Sequence, residues 1–161
     1  MVSTILEKMI LYFNDDIRRI SHALKVYGFS KAIAGSEALS EDLNVIVELA
    51  AVLHDIGIKE AERKYHSSAG KYQELEGPPI AAEILSTAGV EPAIRERVCY
   101  LIGNHHSYDK IEGLDFQILV EADFIVNIAE EGLSSQVAEN IREKYFKTAA
   151  GSRIVENLFG L

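Results

Sequence analysis

The sequence predicts an all-α protein, a single-domain helical bundle of about six to eight helices, and three observations carry that prediction. Prolines occur only at 78, 79 and 92, so most of the chain is free of helix breakers. Apolar residues recur at spacings of three and four, the helical period, rather than alternating as in strands. The length of 161 residues, nearly half of them hydrophobic, matches one ordinary core, and residues 1–161 are therefore read as one domain.

In chain order, a short first helix is expected from about Thr4 to Phe13. Asn14 or Asp15 then caps a longer one in which Ile17, Ile20, Leu24 and Tyr27 share a stripe. Ser40, followed by Glu41 and Asp42, gives the next start, because the hydroxyl can cap and first-turn acids suit the helix dipole. The run Leu43 to Leu53 is apolar on nearly every face, which makes it the central buried helix. It stops at His54-Asp55-Ile56-Gly57, where Gly57 suits a left-handed position after a helix end. From Ile58 to Gly77 the chain turns polar with little period, and a long loop with one helical turn is expected. Pro78 and Pro79 open a helix through Leu85, Gly89 closes it, and Pro92 opens another to about Asn104. After a turn at Asp109 to Gly113, a helix from about Leu114 to Glu131 follows, and one or two C-terminal helices lie within 134–159.

The charge balance narrows the partners. Against 16 basic residues stand 25 acidic ones, a net −9, so a broad surface attraction to nucleic-acid phosphates is disfavoured while a local pocket for a small phosphate ester stays open. The single cysteine, Cys99, excludes an internal disulfide and lies in an apolar segment, the setting of a packed thiol. No apolar run approaches the ~20 residues that span a bilayer. The first residues lack the pattern of a secretory signal, and a cytoplasmic location is the expectation.

Chemistry concentrates at His54-Asp55, an adjacent imidazole and carboxylate ending a helix too apolar to face water. A buried carboxylate needs a compensating charge or hydrogen bonds, and a divalent cation is one efficient compensation. An ordinary helix terminus with a solvated aspartate is the competing reading of the dipeptide alone. Asp123 adds weight. It lies two residues from Glu121, roughly 200° around the helix, so one acid can be exposed while the other points inward, and the stripe Leu119, Val126, Asn127 favours Asp123 as the inward one. His22, on the second helix, completes a mixed nitrogen and oxygen set, suited to Mn, Fe, Co, Ni, Zn or Mg with positions left for water and substrate.

Taken together, Arg19-Ile20-Ser21-His22-Ala23-Leu24-Lys25-Val26, Ala51-Val52-Leu53-His54-Asp55-Ile56-Gly57 and Glu121-Ala122-Asp123 resemble the HD-domain superfamily of metal-dependent phosphohydrolases. The superfamily signature is His, then His-Asp, then Asp on separate helices. The resemblance covers about residues 16–128. It implies a helical bundle, one divalent metal held by His22, His54, Asp55 and Asp123, and hydrolysis of a phosphomonoester or phosphodiester of a nucleotide or other small phosphorylated metabolite. In that scheme water activated by the metal attacks phosphorus, with Asp55 ligating and orienting the nucleophile. Arg18 and Lys59 are candidates for the phosphate oxygens, and Asn127 for the substrate or a supporting hydrogen bond.

Members with two metals use further histidines between the His-Asp pair and the last aspartate. His105 or His106 could serve, but the other expected histidine is replaced at Glu76-Gly77, where Glu76 is at best a substitute ligand. A single metal is therefore expected, with His105 or His106 contacting phosphate or donating a proton. The chain lacks Gly-Tyr-Pro, and Gly57-Ile58 stand where the deoxynucleotidase and alarmone-hydrolase branches place a catalytic acid; Glu60 is displaced from that position. A di-iron oxygenase and a catalytically silent metal-binding or interaction module are the rival readings. A small phosphorylated substrate is the expected partner, and a homodimer is left open.

Overall fold

In the computed structural model, which describes residues 1–161, nine α-helices and one 3-10 turn are joined by short connections, with no strand. The helices are α1 Val2–Phe13, α2 Ile17–Ala34, α3 Glu41–Leu53, α4 Ile58–Tyr65, α5 Gly70–Thr87, α6 Pro92–Ile102, α7 Gly113–Glu131, α8 Ser135–Tyr145 and α9 Ala149–Phe159; the 3-10 turn is Tyr108–Lys110. The all-α bundle expected from the sequence is present. None of its helices is long and apolar enough to cross a membrane.

Most boundaries follow capping chemistry. Ser40 accepts from the Leu43 N–H and Ser134 from the Val137 N–H, each satisfying one of the orphan donors of a helix start. Glu91 does the same for the Ile94 N–H ahead of Pro92. At α2 the cap is Asp16, which accepts from the Arg19 N–H at 3.1 Å, rather than the expected Asn14 or Asp15. Asn14 instead takes a left-handed φ of 58° in the tight link from α1.

The core forms around α3 and α7, with α2 packed against both and α1 and α6 flanking α3. Val47, Leu49, Ala50, Ala51 and Leu53 are completely buried, as the all-round apolar pattern of α3 requires. That central place is shared, because every residue of α7 from Asp115 to Asp123 is buried too. Glu121 is therefore not the exposed partner of Asp123 but is itself fully buried.

Two segments differ from the sequence expectation. The stretch expected as a loop, Ile58 to Gly77, is α4 and the first half of α5. Its residues are polar yet good helix formers, and Glu60 pairs with Arg63 three positions on at 2.6 Å. Consequently Pro78 and Pro79 do not open α5 but lie inside it, where each removes one backbone hydrogen bond. Gly57 likewise has an ordinary φ of −76°, so no left-handed turn demands a glycine there. Its role is close approach: a Cβ at Gly57 would lie 2.5 Å from the Gly77 nitrogen and 2.6 Å from the Gln73 carbonyl oxygen. This contact seats α4 against α5 immediately after His54-Asp55. Cys99 is half-buried, its Sγ 3.6 Å from the Pro78 carbonyl oxygen, and burial raises its pKa.

Candidate metal centre

Helices α2, α3 and α7 bring His22, His54 and Asp123 together, with Asp55 following α3. The Nε2 atoms of His22 and His54 are 3.2 Å apart, and they lie 3.2 and 3.5 Å respectively from Asp123 Oδ1. Each is also 3.5 Å from Asp55 Oδ2. The far side of each ring is engaged: His54 Nδ1 faces the Ala51 carbonyl at 2.9 Å, and His22 Nδ1 faces Glu130 Oε2 at 3.0 Å. Both partners accept, so in each neutral ring Nδ1 carries the proton and Nε2 bears the lone pair. Two nitrogen lone pairs and two carboxylate oxygens then converge on one small volume. Such a set repels itself unless a positive charge sits within it.

A second group adjoins the first. Asp55 turns Oδ1 toward His105 Nε2 at 3.4 Å, and Asp55, His105 and His106 form a further cluster able to hold a metal ion. His105 Nδ1–H donates to the Ile102 carbonyl at 2.8 Å, which leaves its Nε2 buried with no hydrogen-bond partner. A buried ring nitrogen in that state is a rare cost in proteins. The donor set, imidazole nitrogens and carboxylate oxygens without thiolate, fits a divalent transition metal, and the orphaned His105 nitrogen fits the same reading.

The protonation equilibria express the same demand for positive charge. Burial pushes His54 down, but Asp55 and then Asp123 outweigh it and raise the imidazole to about 9. His22 is raised as well, the Asp123 contact overcoming burial. Asp55 and Asp123 are held well below the usual carboxylate range, because the facing histidines outweigh the cost of burial. A proton and a metal ion thus compete for one place. His106 moves the other way, down to about 4, through burial and the neighbouring His105.

Around this centre opens a cavity of about 520 Å³, with Arg18 and Lys25 of α2 on one side and Asn127 and Glu130 of α7 on the other. Arg18 is among its lining residues. Asn127 lines it and donates from Nδ2 to Asp123 Oδ1 at 3.0 Å. His106 also lines it, with Nε2 3.4 Å from Gln73 Oε1. Lys59 is not brought to the site: its ammonium donates to the Tyr12 carbonyl at 3.0 Å and lies over the Tyr12 ring, held by α1. Glu76 is engaged by Lys64 and Tyr65 rather than by the histidines, and Glu60 by Arg63.

Among the site residues not singled out from the sequence are Glu130 and Gln73. Glu130 shares the α7 stripe of Asp123 and Asn127 at spacings of four and three, a signal that could have revealed it. Gln73 carried none, since it falls in the segment read as a loop.

A helical bundle in which an early histidine, a His-Asp pair and a late aspartate converge defines the HD class of metal-dependent hydrolases. The HD-domain family model matches residues 19–149, most of the chain, and the protein belongs to the HD-domain family. Among solved structures, a predicted HD superfamily hydrolase from an uncultured Thermotogales bacterium superposes with a TM-score of 0.70. The likeness covers 97% of this chain and 83% of that one at 22% identity, and it shows a shared fold. No curated protein matches the chain.

Proposed function

We propose that the protein is a metal-dependent phosphohydrolase acting on a phosphomonoester or phosphodiester of a small metabolite. The observation that carries this reading is the convergence of His22 Nε2, His54 Nε2, Asp123 Oδ1 and Asp55 Oδ2 beside a cavity lined almost entirely by polar and charged residues. When bound, a divalent cation lowers the pKa of water and polarises a phosphoryl oxygen.

The chain's own residues have separable roles in this scheme. His22, His54 and Asp123 hold the cation, each fixed by a neighbour: Glu130 for His22, the Ala51 carbonyl for His54, and Asn127 for Asp123. Asp55, with one oxygen toward each histidine group, ligates and orients the attacking water. Arg18 at the rim receives phosphate oxygens. His106, which reaches the cavity, contacts the phosphoryl group, while His105 is too buried to do so and lies behind Asp55.

The two-faced position of Asp55 and the orphaned His105 nitrogen favour a second reading in which a second cation is held by Asp55, His105 and His106. Elemental analysis of protein purified without added metal, followed by phosphatase and phosphodiesterase assays with Mn²⁺, Co²⁺, Ni²⁺ and Mg²⁺, tests both. One metal per chain with turnover lost in Asp55→Ala supports the mononuclear hydrolase; two metals with turnover support the dinuclear one. Two tightly held irons without phosphoester turnover would move the protein to oxygen chemistry, and metal without any turnover to a silent binding module.

A further inference from the structure

We propose that the substrate is a singly phosphorylated polyhydroxy compound, such as a sugar or polyol monophosphate, rather than a nucleotide; this rests on the phosphohydrolase reading above. The chemistry of the cavity lining carries the inference. Small-molecule pockets are usually lined mostly by apolar and aromatic side chains with a few polar groups. Here Ile58 is the one hydrophobic residue of the lining, and no Phe, Tyr or Trp contributes to it. A nucleobase would find no aromatic platform to stack on. The two imidazoles that reach the cavity are already committed, His22 between Glu130 and the His54–Asp123 cluster, His106 against the His105 ring at 4.0 Å and the backbone at Gly70.

Charge narrows the choice further. Of the three cations in the lining, Arg19 is taken by Asp16 and Glu62, and Lys25 by Glu130. Arg18 makes no ion pair, so beside the metal centre the cavity offers one free guanidinium, enough for one phosphate. A di- or triphosphate would place uncompensated charge next to Glu130 and Glu131. Arg18 stands two turns from Lys25, about 10 Å along α2, which separates a phosphate end from an acidic end.

At the acidic end the free groups accept hydrogen bonds. Glu131 lines the cavity without an ion pair, and it lies in the last turn of α7, which has no basic residue. A carboxylate there opposes the helix dipole, so this position is electrostatically unfavourable to the fold alone. Asn127 uses one N–H of its Nδ2 on Asp123 and keeps its carbonyl oxygen to accept, and the Ser21 hydroxyl also lines the space. An array of acceptors suits a ligand rich in hydroxyl groups.

The test is a panel of esters on the metal-loaded protein: p-nitrophenyl phosphate, glycerol phosphate, hexose monophosphates, nucleoside monophosphates and ATP. Polyol or hexose monophosphates are expected to exceed nucleotides in kcat/KM by about tenfold or more, the discrimination one pocket commonly supplies. The same sugar phosphates should raise the melting temperature where nucleoside monophosphates do not. Glu131→Ala should lower the ratio of sugar-phosphate to p-nitrophenyl phosphate turnover by about three- to tenfold, through KM, as expected for a lost substrate hydrogen bond. A preference for nucleotides, or an unchanged ratio in Glu131→Ala, overturns this inference while sparing the hydrolase reading. No turnover of any ester would overturn the hydrolase reading and this inference with it.

Discussion

Glu121 and Asp123 stand two residues apart on α7, both buried, and they meet opposite surroundings. Glu121 faces only donors: Gln117 Nε2 at 2.7 Å, the Lys147 and Thr148 N–H groups at 2.6 and 2.9 Å, and the Thr148 hydroxyl. It thereby closes the start of α9, whose first turn passes so near that a Cβ at Gly151 would overlap its Oε2. Asp123 has one dedicated donor, Asn127, and otherwise faces two imidazole nitrogens whose protons, in the neutral rings, lie on the far side. A buried carboxylate ringed by donors is complete and serves the fold. One ringed by lone pairs is complete only with a cation, and its incompleteness is what makes it chemically useful.

The largest expected effect follows from the Asp123 side. Chelation, or Asp123→Ala, should remove phosphoester turnover by about 10³-fold or more, since a cation's stabilisation of transition-state charge is worth several kcal/mol. Metal content measured on the same samples ties the loss to the cation. Glu121→Ala should behave inversely. It strands the Thr148 N–H and hydroxyl in the interior and takes the acceptor from the part-buried Lys147 N–H, at a cost of about 3 kcal/mol, or about 6–12 °C in melting temperature for a chain of this size. Its metal stoichiometry should match the wild type. Were Glu121→Ala to lose metal while keeping its melting temperature, the division of labour on α7 would collapse.

Much of this was legible in the sequence, for reasons that also explain what was not. The ligand set could be read because His54-Asp55 ends an all-apolar run and Asp123 interrupts another, and such interruptions are physically expensive. The helix starts at Ser40 and Ser134 were legible because capping is local. Glu121 was misplaced because an angular argument on one helix assumes one buried face, whereas α7 is buried all round until Asp123. Apart from Gln117, one turn upstream, the donors that satisfy Glu121 lie 26 and 27 residues downstream, beyond any local pattern. Polarity was mistaken for loop between Ile58 and Gly77, although Lys, Glu, Arg and Gln are strong helix formers. Gln73 was hidden with that segment. Lys59 was misassigned because adjacency to the His-Asp pair in sequence says nothing of which helix its long side chain will reach.

A pH experiment sharpens the comparison with a smaller effect. In the chelated protein His54 titrates near 9, above its usual 6.5, so its contribution to stability is complete below pH 6.5 and lost as pH rises through 9. The melting temperature of chelated protein should therefore fall across that window. Saturating metal keeps the imidazole neutral and should remove this fall. The donors around Glu121 are backbone N–H groups, a hydroxyl and an amide, none of which titrates there. A fall of equal size with and without metal would place its origin outside the centre.

The smallest effect concerns Glu130, which lies seven residues beyond Asp123 and meets His22 from behind. Its charge favours the proton on Nδ1 and makes Nε2 a better donor to a metal. Glu130→Gln keeps an acceptor of the same shape but removes the charge, and metal affinity should weaken about tenfold. Lys25→Met provides the comparison, because it breaks the 3.1 Å Lys25–Glu130 pair while leaving the carboxylate on His22. If Glu130 acted only by pairing with Lys25, the two variants would shift melting temperature alike and leave the metal dissociation constant in place. If it orients His22, Glu130→Gln alone should move that constant, and the His22 ring would be shown to face the cation because a carboxylate outside the centre holds it there.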